Sequence, residues 1–295
     1  MPAPFTTALA SLARRTIIPA DLSSREWNAV APQIRARAFF SARVTIAELL
    51  QKLKNTVATI LNPQPGERLH VPEVPGAPSV PVTEGIDQAT ARLAIKDYLR
   101  STGYAPEPGQ YGTLQDLSSD ARINLQLRTN VETAQGYGQF AQGQQDDILQ
   151  AFPCQELFRA EDRKEKRNWP QRWTLAAQIA QDPKALYALT VHGRMIARKD
   201  SRIWQELGNL EDDSLGNPYP PFAFQSGMWV RDIGRREAVQ LNLIDPGATV
   251  ARQERTLNDT LEANTADMSW ELRDALMADL GPNYQRDSDG VIRRI

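Results

Sequence analysis

The sequence has very few of the side chains that most often perform chemistry. Its 295 residues include one cysteine, Cys154, and two histidines, His70 and His192. A single cysteine excludes an intramolecular disulfide framework and a zinc site built from several cysteines. Two imidazoles leave little material for catalysis centred on histidine. The sequence therefore directs attention to packing and surfaces rather than to an active site.

Long apolar runs are also missing. No stretch approaches the roughly 18–20 consecutive apolar residues that a membrane span needs. The segment Met1–Ala10 is uncharged and lacks the basic start and the cleavage site of a signal peptide. We therefore expect a protein without a membrane span, cytoplasmic or carried in a particle. A hydrophobic content of 41% and a charged content of 24% allow a sizeable core.

The net charge of -2 hides an uneven distribution along the chain. Residues 1–61 carry eight basic and three acidic side chains, whereas residues 251–290 carry four basic and nine acidic ones. A basic front can contact nucleic acid or an acidic protein surface. Because its basic residues are spread out rather than clustered, a solvated helix face is the favoured interpretation.

Apolar spacing predicts an all-helical first half and a mixed second half. The capping-box pattern Ser23–Glu26 indicates one helix start. Helices are predicted over about 42–61, 83–102, 117–142, 170–180, 183–189, 235–242 and 267–280, with short helices starting near 24 and 200. The sequence Thr113–Asp116 resembles a further N-terminal cap, as does Asp200. Strands are predicted at Cys154–Ala160 and Met195–Ala197.

These elements predict an α+β protein that is predominantly α. A helical N-terminal region, 1–61, precedes a connector, 62–82, that contains six prolines. A proline-rich ligand for a partner is the alternative interpretation of that segment. A small mixed domain follows over 83–245, and an acidic helical tail is predicted over 246–295.

The search for catalytic, cofactor and metal motifs assigns none. Gly136-Tyr137-Gly138 lies in a predicted helix and indicates close packing rather than a nucleotide site. Ser226 lacks the first glycine of a nucleophile elbow. Asp287–Gly290 is a polar turn rather than a calcium loop, because the chain has no glutamate after it. We expect Cys154 to be a small buried residue and not a nucleophile served by His192.

One charged segment carries a nucleic-acid hypothesis. Basic side chains interleaved with aromatic ones can bind single strands by charge and stacking. The candidate contacts are Arg163, Lys164, Lys166, Arg167 and Trp169. The alternative is an exposed charged turn flanked by tryptophans that pack in the core, since acidic residues dilute the charge.

Three ordered blocks resemble the phage head morphogenesis family, the Mu F-like minor head or minor capsid proteins. The first block holds Trp27, the Ala-Phe pair at Ala38-Phe39 and the helix from Ile46 to Leu61. The second runs from Arg128 to Gly138 and is similar to an Arg-Thr-x-x-x-x-Ala helix. The third begins at Phe158 and closes with a Pro-Pro-Phe-x-Phe-x-Ser-Gly-Met loop. The motif residues that carry the resemblance are Arg128, Thr129, Thr133, Ala134, Gly138, Pro220, Pro221, Phe222, Phe224, Ser226, Gly227 and Met228.

The resemblance implies a structural virion protein with no enzymatic activity and no cofactor. Its implied partners are the phage portal protein and other head or neck proteins, and possible non-specific contact with DNA fits the basic front. Its implied location is the inside or the vertex of the head, after assembly in the host cytoplasm. Many family members have paired cysteines that suggest a metal clip, and Cys154 alone does not support one here.

Two other functions stay open, a DNA-binding protein acting in packaging or ejection and a concealed transferase or hydrolase. The aromatic, proline-rich loop over Tyr219–Phe224 also has two interpretations. It is either an anchor for a partner or a plug for the domain's own core, and the core is favoured.

Overall fold

The computed structural model describes residues 6–13, 15–18, 38–61, 87–163, 166–253, 262–264, 274, 277, 284–288 and 291–294. Within these residues the fold is α+β and predominantly α, which confirms the predicted class. The helices are α1 Thr6–Ala13, α2 Ala47–Leu61, α3 Gln88–Ser101, α4 Asp120–Gly143, α5 Asp146–Ala151, α6 Trp169–Ala180, α7 Pro183–His192, α8 Ile203–Leu207 and α9 Arg235–Gln240. The strands are β1 Thr16–Ile17, β2 Ala38–Phe39, β3 Cys154–Arg159, β4 Met195–Arg198, β5 Met228–Ile233, β6 Glu262–Asn264, β7 Tyr284–Arg286 and β8 Val291–Arg294.

A helical core forms where α1, α2 and α3 pack on the first part of α4. Leu50, Ile95 and Leu127 are among its fully buried side chains. Asp87 caps α3, because its carboxylate accepts hydrogen bonds from the first backbone amides of that helix. Lys54 donates to the carbonyls of Ala13 and Arg15, so a cation lies at the C-terminal end of α1. This core combines the predicted region 1–61 with the start of the predicted domain 83–245.

A second core surrounds the antiparallel sheet β4-β3-β5. Side chains alternate between its two faces because successive residues of a strand point in opposite directions. Leu157 and Val230, which are register partners, face the core built with α6 and α8. Cys154 and Ile233 face the other side, with α7 and α9. Helices therefore cover apolar side chains on both faces of this sheet.

Two smaller sheets complete the described strands. The short strands β1 and β2 pair in parallel, so Thr16 lies opposite Ala38. Strands β6, β8 and β7 form a separate antiparallel sheet within the predicted tail 246–295. The predicted helical tail had a helix over 267–280 and no strand, so these three strands are additional elements that the prediction missed. The predicted polar turn at Asp287 leads out of β7 toward β8.

The structure confirms both predicted strands, at Cys154 and at Met195, and corrects several helix starts. The helix predicted from 42 begins at Ala47. Ser119, not the Thr113–Asp116 segment, caps α4, because the Asp116 carboxylate accepts from the amides of Gly112 and Ser118 and closes the preceding loop.

Two further elements of the second core differ from the prediction. The residue before α8 is Arg202 rather than Asp200, whose carboxylate pairs with Arg198. Strand β5 was not predicted, since the adjacent charges Arg231 and Asp232 break its apolar alternation. Pairing with β3 along its full length overrides that weak local signal.

Several predictions fall on residues outside the described ranges. These are the capping box Ser23–Glu26, the connector 62–82 and most of the helix 267–280. Of the last, Asp274 and Met277 are described, and both are helical. Among the residues that the structure describes, no helix is long and apolar enough to cross a membrane.

A buried carboxylate on the central strand pairs with two arginines. Glu156 on β3 has a side chain that is 7% exposed. Its oxygens accept from Arg194 at 3.0 and 2.6 Å and from Arg231 at 2.8 Å. Burial raises the pKa of Glu156, but these arginine contacts outweigh it, so the pKa lies below its usual value.

We expect Glu156→Gln to lower the free energy of unfolding by about 1–3 kcal/mol, because Arg231 loses its counter-ion and Arg194 keeps only Glu237. The pKa is depressed in the folded state, so the stabilisation is present above the unfolded-state pKa of about 4.3 and is lost as the pH falls through the folded-state value. Urea unfolding at several pH values measures both effects. The exposed change Glu107→Gln is the control, and equal pH profiles for wild type and Glu156→Gln would contradict the assignment.

Candidate functional site

Helix α4 packs directly against the loop that precedes β5. We call residues 213–227 the Pro-Phe loop. A Cβ atom on Gly136 would overlap the carbonyl oxygen of Pro220, so only glycine permits this approach. The structure thus brings together the second and third of the three sequence blocks that carry the family resemblance, although more than 80 residues separate Gly136 from Pro220 along the chain.

Aromatic side chains extend the contact on both sides of Gly136. The ring of Tyr219 meets that of Tyr137 edge to face, with 5.7 Å between centroids, and lies 5.6 Å from that of Phe140. Tyr219 is 4% exposed. It also hydrogen-bonds with Arg15, which lies beyond the end of α1. One loop residue therefore contacts α4 and the N-terminal segment together.

The next turn of the loop enters the second core. Phe222 is fully buried and stacks on Trp204 at 6.1 Å, and Trp204 in turn meets Trp173 at 5.4 Å. Pro220 and Pro221 are buried as well. The structure thus supports the core-plug interpretation for Tyr219 and Phe222, whose rings are buried, whereas Phe224 is half-buried and lines a cavity beside α4.

Arginine side chains hold the outer part of the loop. Arg167 donates to the carbonyls of Phe224 and Gln225, at 2.7 and 3.2 Å. It also pairs with Asp213, 2.6 Å away, at the start of the Pro-Phe loop. Arg172 binds the same carboxylate with two nitrogens. Both ends of the loop are therefore fastened to the start of α6.

These contacts change the interpretation of the predicted nucleic-acid segment. Trp169 is 1% exposed, so its ring cannot stack on a base. Arg163 pairs with Glu161 at 3.0 Å and Lys166 pairs with Asp162 at 3.0 Å. Lys164 lies outside the described residues. The described residues of this segment form a charged turn beside a buried tryptophan. This arrangement is the one that the alternative interpretation predicted.

The remaining motif residues fasten the loop to β3 and α4. The Gly227 carbonyl accepts hydrogen bonds from the amides of Ala160 and Glu161. The Ser226 hydroxyl accepts one from the Met228 amide at 3.1 Å. Arg128 pairs with Glu132 and Glu161, which joins α4 to the end of β3. Met228 faces the second core. Two further buried motif residues of α4 are Ala134 and Gly138.

A cavity of about 130 Å³ lies between α4, the N-terminal segment and the Pro-Phe loop. A stripe of polar residues on α4 lines it, formed by Arg122, Thr129 and Thr133. Arg15 and Asn217 also line it. Thr129 and Thr133 were predicted from the resemblance, whereas the other three were not. Arg122 could have been predicted from its spacing, because residues seven apart lie on the same helix face and Thr129 follows it by seven.

Both arginines of this cavity are deeply buried. Arg15 is 6% exposed and Arg122 is 9% exposed. Burial lowers the pKa of each guanidinium, because it removes the water that stabilises the charged form. The nearby Tyr219 and its hydrogen bond act in the opposite direction on the pKa of Arg15, but the effect of burial is larger. Both guanidiniums therefore lie in surroundings that disfavour their charged form.

The possible nucleophile and base do not form a pair. Cys154 is fully buried at the start of β3, and burial raises its pKa to about 12. His192 ends α7, where its Nε2 lies 3.3 Å from the Leu241 carbonyl oxygen and its ring meets Tyr187. No hydrogen bond joins Cys154 and His192 in the described structure. The described residues also contain no group of acidic, histidine or cysteine side chains that could hold a metal ion.

We expect Gly136→Ala to lower the free energy of unfolding by about 1–3 kcal/mol or more, since the added methyl group would overlap the Pro220 carbonyl. Gly143→Ala on the same helix is the matched control. A Cβ there would make only an ordinary contact, 3.5 Å from the Lys199 ammonium nitrogen. Chemical denaturation of both variants checks this, and equal stabilities would refute the close approach.

We expect Cys154 to be inert toward thiol reagents in the folded protein at pH 8, because the reactive thiolate is scarce and the sulfur is inaccessible. Reaction with a chromogenic disulfide should become fast in denaturant. A fast stoichiometric reaction under native conditions would show that β3 opens readily.

Comparison with known protein families, curated proteins and solved structures finds no match to this chain. Two features of the chain itself therefore bear on its function. One is the resemblance of its ordered sequence blocks to the Mu F-like family. The other is the packing of α4 on the Pro-Phe loop and the cavity beside it.

Proposed function

We propose that this chain is a structural minor head protein of a tailed phage or prophage. It binds the portal and acts in head assembly, DNA packaging or DNA delivery. The observation that carries the proposal is the contact of Gly136 on α4 with Pro220 in the Pro-Phe loop. Sequence blocks that define one family domain should pack as one unit, and these two blocks do.

The architecture suits a passive connecting role. Helix α4 is 24 residues long and contributes Leu127 to the helical core, while its later residues contact the Pro-Phe loop of the second core. A helix shared in this way resists bending between the two cores. A protein that docks to a ring of portal subunits needs such a rigid body, because fixed surfaces lose little conformational entropy on binding.

An exposed apolar pair on the second core offers a contact surface. Leu175 and Ile179 lie one turn apart on α6 and are 40% and 51% exposed. Exposed apolar side chains that lie side by side are a common feature of protein interfaces. Under this proposal the protein functions at the head vertex of the virion, after assembly with portal and neck proteins in the host cytoplasm.

We expect the full chain to co-purify with the portal protein of the same phage after co-expression, at both low and moderate salt. Leu175→Asp should reduce recovery at least about tenfold, because it places a charge in the contact. Leu93→Asp on α3 is the matched control, since Leu93 is 44% exposed on the helical core.

Nuclease treatment before capture separates portal binding from a bridge made by DNA. Loss of the complex with nuclease, together with a steep salt dependence of DNA binding, would favour the DNA-binding alternative. Absence of a complex at both salt concentrations would contradict the proposed function.

A further inference from the structure

Two aromatic side chains lie side by side on one face of the sheet β4-β3-β5. Phe158 on β3 and Trp229 on β5 are register partners, so their rings project from the same face. This is the face that carries Cys154 at its other end, and it lies opposite the face that packs on α6 and α8. Both rings are half-buried, and neither belongs to a hydrophobic cluster of the described residues.

An arginine enlarges the flat surface of this aromatic pair. Arg231 lies on the same face, two residues after Trp229, and its guanidinium carbon is 5.5 Å from the centroid of the Phe158 ring. Its side chain is 58% exposed, and an ion pair with Glu156 at 2.7 Å holds it in place. Because a guanidinium is planar, packing on Phe158 leaves its opposite side for another ring. We call Phe158, Trp229 and Arg231 the aromatic platform.

The other three tryptophans that the structure describes are used differently. Trp169, Trp173 and Trp204 are at most 1% exposed. The indole N–H groups of Trp173 and Trp204 donate to backbone carbonyls inside the second core. Trp229 is therefore the described tryptophan that solvent reaches, and it lies beside Phe158.

Positive charge predominates next to the aromatic platform. Strand β3 continues into the charged turn, residues 159–167, whose described part has four basic and two acidic side chains. The turn stays beside the platform because the amides of Ala160 and Glu161 donate to the carbonyl of Gly227, two residues before Trp229. A local excess of positive charge attracts a polyanion.

We propose that the aromatic platform binds single-stranded nucleic acid by stacking of unpaired bases. Every base has a flat π-face, so partly exposed rings and a planar guanidinium bind bases of any sequence, while nearby basic side chains bind phosphates. A protein partner could also cover two rings, but the excess of positive charge favours a polyanion. Trp229 and Phe158 thus take the stacking role that the sequence suggested for Trp169, which is buried.

This inference goes beyond the proposed function, because binding is measured on the isolated full chain without a portal protein. The probe is a fluorescein-labelled DNA single strand of about 15 nucleotides, and fluorescence anisotropy gives its Kd at several salt concentrations. We expect saturable binding that weakens as salt rises, since phosphate contacts release counterions.

Two further probes separate stacking from other modes of binding. The DNA duplex of the same sequence should bind at least about fivefold more weakly, because its bases stack on one another and are not free for the platform. The RNA single strand should bind within about threefold of the DNA strand, because stacking does not involve the sugar.

Three substitutions test the platform itself. Trp229→Leu keeps an apolar side chain but removes the ring, so we expect at least about fivefold weaker binding of the single strand, whereas Trp229→Phe should stay within about twofold of wild type. Arg231→Lys keeps the charge beside Glu156 but loses the planar surface, so binding should weaken with an unchanged salt dependence. Tyr111→Leu is the matched control, because it removes a ring that is 85% exposed outside the platform.

Thermal unfolding shows whether each variant is folded, and Arg231→Lys provides the test if Trp229→Leu is not. No binding of the single strands by wild type, equal affinities for single strand and duplex, or binding of RNA alone would overturn the proposal. Unchanged affinity in folded Trp229→Leu, or in Arg231→Lys, would do so as well. Loss of portal capture in Trp229→Leu without any nucleic-acid binding would assign the platform to a protein partner instead. Absence of a portal complex with wild type leaves these binding constants unaffected, so the two proposals fail separately.

Discussion

The close approach of Gly136 to the carbonyl of Pro220 is the contact on which the rest of the described structure depends. Helix α4 supplies one wall of the helical core, and the Pro-Phe loop supplies Phe222 to the core around the sheet. The contact therefore joins two hydrophobic cores that have separate sets of buried side chains. Tyr219 strengthens the joint because its ring packs on α4 while it also hydrogen-bonds with Arg15. A methyl group at residue 136 would push the Pro220 carbonyl and the Tyr219 ring away from α4.

Electrostatic interactions support this joint in two ways. At its outer side, Asp213 pairs with Arg167 and Arg172, and Arg128 pairs with Glu161, so opposite charges fasten the Pro-Phe loop to α6 and α4 to β3. At its inner side, Arg15 and Arg122 line one cavity beside α4, and both are buried. The first arrangement stabilises the loop by itself. The second arrangement is held by hydrogen bonds from Arg122 to uncharged oxygen atoms of Ser41 and Leu114.

Local patterns in the sequence predicted most helices and two strands of the central sheet. Apolar spacing was sufficient for α2, α6 and α7, because each has an apolar face or a clear start at proline. Helix starts were predicted less well where several polar side chains could serve as the N-terminal cap. The Asp116 carboxylate closes a loop instead of capping α4, and a local pattern does not distinguish these two uses of one carboxylate. Strand β5 depended on its pairing with β3, which is a contact between distant residues.

Composition and short-range order determined the predominantly α class, the buried single cysteine and the resemblance of the ordered blocks to Mu F-like head proteins. These properties follow from residue type and spacing, which a linear sequence displays directly. Only the tertiary structure decided that Trp169 is inaccessible, that the Pro-Phe loop plugs a core, and that Arg15, Arg122 and Asn217 share one cavity. The physical reason is that burial and pairing of charges depend on neighbours about 100 residues away along the chain, and spacing within one segment carries no information about them.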